Sequence, residues 1–228
     1  MKKALLAWFF LPCILLAQKI DKASIDIDLS ATPHFWQMGN LNQFLQENAY
    51  NGLNAFYAPI SLGFAIDNPQ KRFSFGADVG SMKYRNNSND NSTASLHISS
   101  NVRFAYHLVN ANHFRLQPSL GIGHRLTQID ARRGNISNNF SNIPNTNNDG
   151  LSLRHESYGL EMAINGLCWI SDSQEDKKTL SYLGLGIGFF QPLSNSWRAY
   201  DVPLENAPKV NSGGVFVKFT LGTFIFKN

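Results

Sequence analysis

Eight charged residues recur at one parity within alternating runs of the chain: Asp26, Asp28, Asp78, Glu161, Arg103, Arg115, Arg125 and Lys218. Four are acidic and four are basic. Charges gathered on one enclosed face must pair and be hydrogen-bonded, because an isolated buried ion is strongly unfavourable. The balance predicts an ion-pair network that fills an interior. A proton-active or gated lumen is the alternative use of the same groups.

Other residues invite catalytic readings. His97-Ile98-Ser99 and His155-Glu156-Ser157 place a His and a Ser two apart, which in a strand puts both on one face. A hydrolase needs a nucleophile beside an oriented base, and no fuller motif surrounds either pair. His155, Glu156 and His124 form a weaker metal set. Gly184, Gly186 and Gly188 lie inside an alternating run with no helix after it, so they do not form a nucleotide loop. The chain is expected to be no enzyme and to use no cofactor and no metal.

The elements that position these residues repeat with period two. Ile25, Ile27 and Leu29 alternate with Asp26, Asp28 and Ser30. Ile60, Leu62, Phe64 and Ile66 alternate with Ser61, Gly63 and Ala65. The pattern recurs in 73–79, 96–108, 114–126, 160–164, 183–189 and 215–221. Such runs are strands with one apolar face and one polar or small face. Several exceed the roughly five or six residues usual in soluble strands and match the nine to eleven or so of a tilted membrane-crossing strand.

The connections alternate between long and short. Long or polar segments are expected at 33–55, 85–93, 131–150 and 192–212, and short turns at 67–71, 110–112 and 171–178. Long loops on one side and short turns on the other are the sequence signature of an outer-membrane barrel. Hydrocarbon offers the backbone no hydrogen-bond partners, so such a sheet must close. The predicted fold is all-β: a closed, antiparallel, up-and-down transmembrane β-barrel of about eight strands. Inward glycines (Gly63, Gly76, Gly80, Gly121, Gly123, Gly184, Gly186, Gly188) either make room for long arginines or leave space for a ligand. Phe73, Tyr84, Tyr106, Phe114, Tyr158, Trp169, Tyr182 and Phe224 lie near predicted strand ends and are expected to form interfacial girdles.

Composition agrees. Only 16% of the 228 residues are charged, against about 25% in soluble domains. Seventeen are Phe, yet mean hydropathy is −0.22. One long apolar run exists, at 4–17, after Lys2 and Lys3. It is short for a spanning helix and reads as a secretory signal, with cleavage expected after Ala17 and the barrel domain over 18–228. Pro12 before Cys13 does not suit a lipoprotein signal, which wants a small residue there. Cleavage would leave Cys168 as the single cysteine, so no internal disulfide is expected. It would also leave 18 of the 20 basic residues against 16 acidic ones. With no Lys/Arg run, nucleic acid is not expected as a partner.

The chain ends Thr223-Phe224-Ile225-Phe226-Lys227-Asn228, an aromatic-rich strand with two residues after the last aromatic. Together with the alternation, this resembles the small outer-membrane β-barrels of Gram-negative bacteria, the group with the eight-stranded OmpA-like and OmpX-like barrels. The segment from Met38 through Leu41, Phe44 and Leu45 to Asn48 is similar to one in uncharacterised barrel proteins of the Bacteroidota. Its i, i+3, i+4 apolar spacing predicts a short amphipathic helix, packed over the barrel mouth or, in the sharper reading, binding a partner. The resemblance implies outer-membrane lipid and lipopolysaccharide as surroundings, both termini in the periplasm, and a structural or surface-binding role. A small ligand-conducting pore and a lipid-modifying barrel enzyme are the alternatives. Phe35, Trp36, Trp197 and Tyr200 fall in the long segments and are the candidates for recognising a surface ligand or protein partner.

Overall fold

The computed structural model describes residues 22–35, 38–87, 91–111, 113–133, 150–170, 178–199, 202–203 and 212–226. Among them, eight long strands form one antiparallel ladder: β1 (Ser24–Ala31), β2 (Ile60–Asn68), β3 (Phe73–Asn87), β4 (Asn91–Tyr106), β5 (Phe114–Arg133), β6 (Gly150–Trp169), β7 (Thr179–Ala199) and β8 (Gly214–Phe226). Each pairs with the next in chain order. Strand β8 pairs with both β7 and β1, so the ladder closes. No described helix is long and apolar enough to cross a membrane.

Closure imposes stagger. From Leu185 on β7, paired residues run through Phe219, Ala31, Ile60, Ser81, Ile98, Leu126 and Glu156. They return to β7 at Ser196, not at Leu185. The strands therefore tilt against the barrel axis, as a sheared barrel requires.

Alternation sets the two faces of the lower wall. Ile25, Leu62, Phe75, Phe104, Ile122, Met162, Leu185 and Phe219 all point outward and are exposed. Residues of the opposite parity on these strands, Asp26, Ser61, Asp78, Asn101, Arg125 and Lys218, line the inside and are buried. An exposed apolar belt this continuous far exceeds the patches that water-soluble monomers tolerate.

Farther up, the faces exchange chemistry. On β3 the outward residues pass from Phe75 and Val79 to Ser81, Lys83 and Arg85. On β6 they pass from Met162 through Tyr158 to Glu156 and Arg154. Inside, Ile129, Ala131, Leu153 and Trp197 replace the charges. They pack with Met82 and Tyr84 against Met38, Leu41, Leu45, Leu53 and Tyr57. The upper barrel thus has the core of a soluble protein, while the lower barrel is inverted.

The helix α1 (Gly39–Glu47) supplies that core, burying Leu41 and Leu45 at the predicted spacing. It ends where Ala49 adopts a positive φ of 58° and the Tyr50 amide donates to the Leu45 carbonyl at 2.7 Å. Asn42 fixes the returning chain: its Nδ2 donates to the Leu53 carbonyl at 3.0 Å, and its Oδ1 accepts from the Leu53 amide at 2.8 Å. Asn86 Nδ2 and Thr93 Oγ1 then tie Gly52 and Asn51 to the β3–β4 hairpin.

The connections differ from the sequence expectation in extent. Strands β3 and β4 run to Asn87 and from Asn91, through most of the predicted 85–93 loop. Strand β7 continues to Ala199, inside the predicted 192–212 loop. The 33–55 segment holds the ladder residues His34–Phe35 as well as the helix, and His34–Phe35 pairs with Phe56–Tyr57. Lipid-type alternation stops where the wall turns polar outside, but strand pairing goes on. The predicted signal at 1–17 lies outside the described residues.

Candidate functional site: the barrel lumen

The lumen is filled in layers. At the end holding Ser24 and Phe226, Trp169, Tyr182 and Phe224 pack with Leu167 and Leu180. The Trp169 ring meets those of Tyr182 and Phe224 edge-on, with centroids 6.0 and 5.5 Å apart. Such aromatic geometry adds to simple area burial. The Arg115 guanidinium lies over Trp169 and Phe224, 5.5 and 5.1 Å from their centroids. Its Nη1 donates to Asp67 Oδ1 at 2.9 Å, and His107 Nε2 lies 3.0 Å from the same oxygen. Both Arg115 and Asp67 are only 1% exposed, so this pair lies away from bulk solvent.

One layer higher, the Tyr182 hydroxyl donates to both carboxylate oxygens of Asp26. Then comes the central network. Arg103 bridges two acids: Nη2 donates to Asp28 at 2.8 Å and Nη1 to Asp78 at 3.0 Å. Lys218 Nζ reaches the same Asp78 oxygen at 3.5 Å. Asn101 Nδ2 donates to Glu161 at 2.9 Å. A fork-shaped guanidinium suits this bridging, because its donors are fixed in one plane.

Space for these groups comes from small residues. A Cβ at Gly63 would lie 2.5 Å from the Asp28 carboxylate. One at Gly222 would strike the Tyr182 ring. Gly63, foreseen as making room for arginines or a ligand, and Gly222, outside that set, make room for an aspartate and a tyrosine instead.

Above the network lies a cavity of about 40 Å³, lined in part by His34, His97, Asn101, Arg125, Glu161 and Lys218. That is room for about two or three waters. Arg125 sits in its wall with its guanidinium 3.8 Å from the Phe190 centroid and Nη1 donating to the Ser212 carbonyl at 2.8 Å. The Ser212 hydroxyl donates to Ser157 at 2.8 Å. His97 Nδ1 is 2.9 Å from Thr127 Oγ1, and Tyr57 meets the His97 ring edge-on at 4.5 Å.

The eight predicted interior charges all line the lumen, but their partners were not legible. Arg103 meets Asp28 and Asp78. Arg115 meets Asp67, which the sequence reading left in a turn. Among the described residues the interior thus holds five acids, not four, against four bases. Parity alone could have found Asp67, since Ile66 faces outward. The same rule would have found Trp169, Tyr182 and Phe224. They were expected in girdles and are an interior plug, and Tyr84 also points inward. Tyr106 and Tyr158 do face outward, and Tyr158 stacks on His124 at 4.5 Å.

Of the two His–Ser candidate pairs, His97 and Ser99 both line the cavity, but His155 and Ser157 separate. His155 packs at a tilt against Trp197, with ring centroids 4.7 Å apart, whereas Ser157 is held by Ser212. His155 points inward, and Glu156 and His124 point outward, so the three do not converge as metal ligands. His155 lies above the belt, and burial pushes its imidazole down to about 4, opposed by the Glu156 charge.

The loop candidates also change. Trp36 and Tyr200 lie outside the described residues. Phe35 is exposed on the outer wall, beside Phe56 at 5.2 Å. Trp197 is not in a loop: it is buried in the upper core. The cause is a bulge in β7, where pairing with β6 skips from Pro192 to Ser194. The extra residue reverses parity and turns Trp197 inward.

Together the closed ladder, the exposed apolar belt and the salt-bridged lumen define an eight-stranded antiparallel β-barrel of the outer-membrane type. Solved structures with a similar fold include a major outer membrane protein of Thermus thermophilus, at 9% identity and a TM-score of 0.46, covering 89% of this chain and 98% of that one. Neisserial surface protein A follows at 10% identity and 0.37, covering 90% and 97%. The translocator domain of the autotransporter NalP from Neisseria meningitidis gives 7% identity and 0.34, covering 98% and 96%. No family model and no curated protein matches the chain.

Proposed function

We propose that this chain is a closed, non-conducting barrel of the outer membrane with a structural or surface-binding role. The observation that carries the reading is the filling of the lumen at both levels. The Arg103–Asp28–Asp78 network and the Trp169–Tyr182–Phe224 plug occupy the lower barrel. The helix core occupies the upper one. An eight-stranded barrel is only wide enough to be filled by its own side chains.

The apolar belt then faces lipid, and the wall above it stands in water. The end holding Ser24 and Phe226 faces the periplasm, because the chain enters from that side. The helix end faces outward, where exposed Phe35 would meet a surface ligand or partner.

Refolded protein in planar bilayers should give no single-channel steps. Reproducible steps would overturn the plugged reading in favour of a small pore. Heat-modifiable migration in detergent gels tests the membrane barrel itself. Unchanged lipid A masses with and without the protein are expected, and a protein-dependent change would favour an enzyme.

A further inference from the structure

The outer wall above the belt carries five basic residues over four strands. Outward-facing Lys83 and Arg85 on β3, Arg132 on β5, Arg154 on β6 and Arg198 on β7 are all exposed. Among the described residues two acids share this face, and both are engaged. Glu156 binds Arg154 at 2.5 Å. Asp130 accepts from Ser152 Oγ at 2.8 Å and lies 3.3 Å from Gln128 Nε2. The inward residues behind the wall include apolar Met82, Tyr84, Ile129, Leu153 and Trp197 and, among the described residues, no acid, so the core supplies no counter-charge.

Within the wall, Arg154 and Arg198 are directly opposed across β6 and β7, and the other residue opposite Arg198 is Pro203. Like charges directly opposed on a sheet face are destabilising. Glu156 offsets one of the two charges; an anion between the two forks would offset the other, and phosphate is the anion guanidinium groups match best. Height favours a lipid source. Arg154 is four residues beyond Tyr158, and Tyr158 stacks on His124 where the outward face changes from apolar to polar. At about 3.4 Å per residue along a tilted strand, the arginines stand roughly 10 Å above that boundary, within reach of headgroup phosphates.

We propose that Lys83, Arg85, Arg132, Arg154 and Arg198 form a collar that binds the phosphates of an anionic glycolipid of the surrounding leaflet, with Arg154 and Arg198 at its centre. This rests on the membrane reading above and gives it a named lipid contact.

The test is native mass spectrometry of the refolded full chain with three probes: bisphosphorylated lipid A, the same lipid with both phosphates removed, and inorganic phosphate. Wild type should retain the bisphosphorylated lipid and release the dephosphorylated one. At about fivefold per basic residue near a charged surface, R154Q/R198Q should weaken retention roughly thirty-fold. R154K/R198K should fall between, since it keeps charge and loses the fork. K71Q, an exposed lysine at the opposite end, should bind like wild type. Equal retention of the two lipids, or unchanged binding by R154Q/R198Q, would overturn the collar. Displacement of lipid by millimolar inorganic phosphate would reassign the site to soluble phosphate and overturn the lipid source. Heat-modifiable migration is read in parallel. Its absence in wild type would defeat the membrane reading, whereas its presence with failed lipid selectivity would defeat the collar alone.

Discussion

The hydroxyl of Tyr182 lies 2.8 and 3.0 Å from the two carboxylate oxygens of Asp26, and the ring reaches them by crossing Gly222 on the next strand. Side chain, partner and the bare backbone between them form one unit. Tyr182 is buried within the aromatic plug, so the bond lies away from bulk water.

Gly222→Ala should therefore destabilise the barrel by about 1–3 kcal/mol, the usual cost of overpacking. Tyr182→Phe leaves the ring in place and removes the donor, at about 1–3 kcal/mol for the desolvated carboxylate. Urea midpoints in detergent micelles measure both. If Gly222→Ala were as stable as wild type, the ring could not lie where it does.

Arg103 is the hub of the central network, so Arg103→Met should cost more than removal of either acid alone. It leaves Asp28 and Asp78 buried without that cation, at about 3–5 kcal/mol. A double-mutant cycle of Arg103→Met with Asp28→Asn should show a coupling of at least about 1 kcal/mol. Additive effects would mean the 2.8 Å contact carries no energy.

The two fillings are separate in space, which allows a functional test. Leu45→Ala should destabilise by about 2–5 kcal/mol through the cavity left under α1. It should not open a conducting path, because the Arg103 network remains below. Bilayer recordings of Leu45→Ala beside the Arg103→Met variant decide the point. Conductance from the helix variant alone would make α1 the sole barrier.

Acid should loosen the upper core through His155. Its folded value of about 4 lies below the unfolded value of about 6.5. The neutral imidazole is thus favoured by folding, and its contribution is complete above the unfolded value. That stability is lost as pH falls from about 6.5 towards 4. His155→Phe keeps a ring against Trp197 and should flatten this part of the stability curve. Melting temperatures of both proteins at pH 7, 5.5 and 4 test the sign. A wild-type protein that gains stability relative to His155→Phe on acidification would contradict it.

The bulge at Leu193 makes a geometric prediction. Deleting Leu193 should restore continuous pairing with β6 and turn Trp197 to the outside. Near-native acrylamide protection of Trp197 fluorescence would argue against it. A rise in quenching, with loss of core stability of about 3–5 kcal/mol, is expected.

The amino-acid sequence by itself determined which side of the wall residues take within each unbroken strand run. Period two is a local property of an extended chain, so Asp26, Asp78, Arg103 and Lys218 could be assigned inward before any partner was known. The helix over 39–47 was equally local, from the spacing of Leu41, Phe44 and Leu45. Tertiary structure decided everything that depends on two strands at once. Which acid meets Arg103, and that Asp67 meets Arg115, follow from the stagger imposed by closure, which alternation does not encode. That Trp197 turns inward depends on a single extra residue resetting parity. That the upper wall keeps its strands after its outer face turns polar depends on a helical core arriving from elsewhere in the chain. Facing is a one-strand property and survives translation from sequence; pairing is a property of the closed ring and appears only when the last strand meets the first.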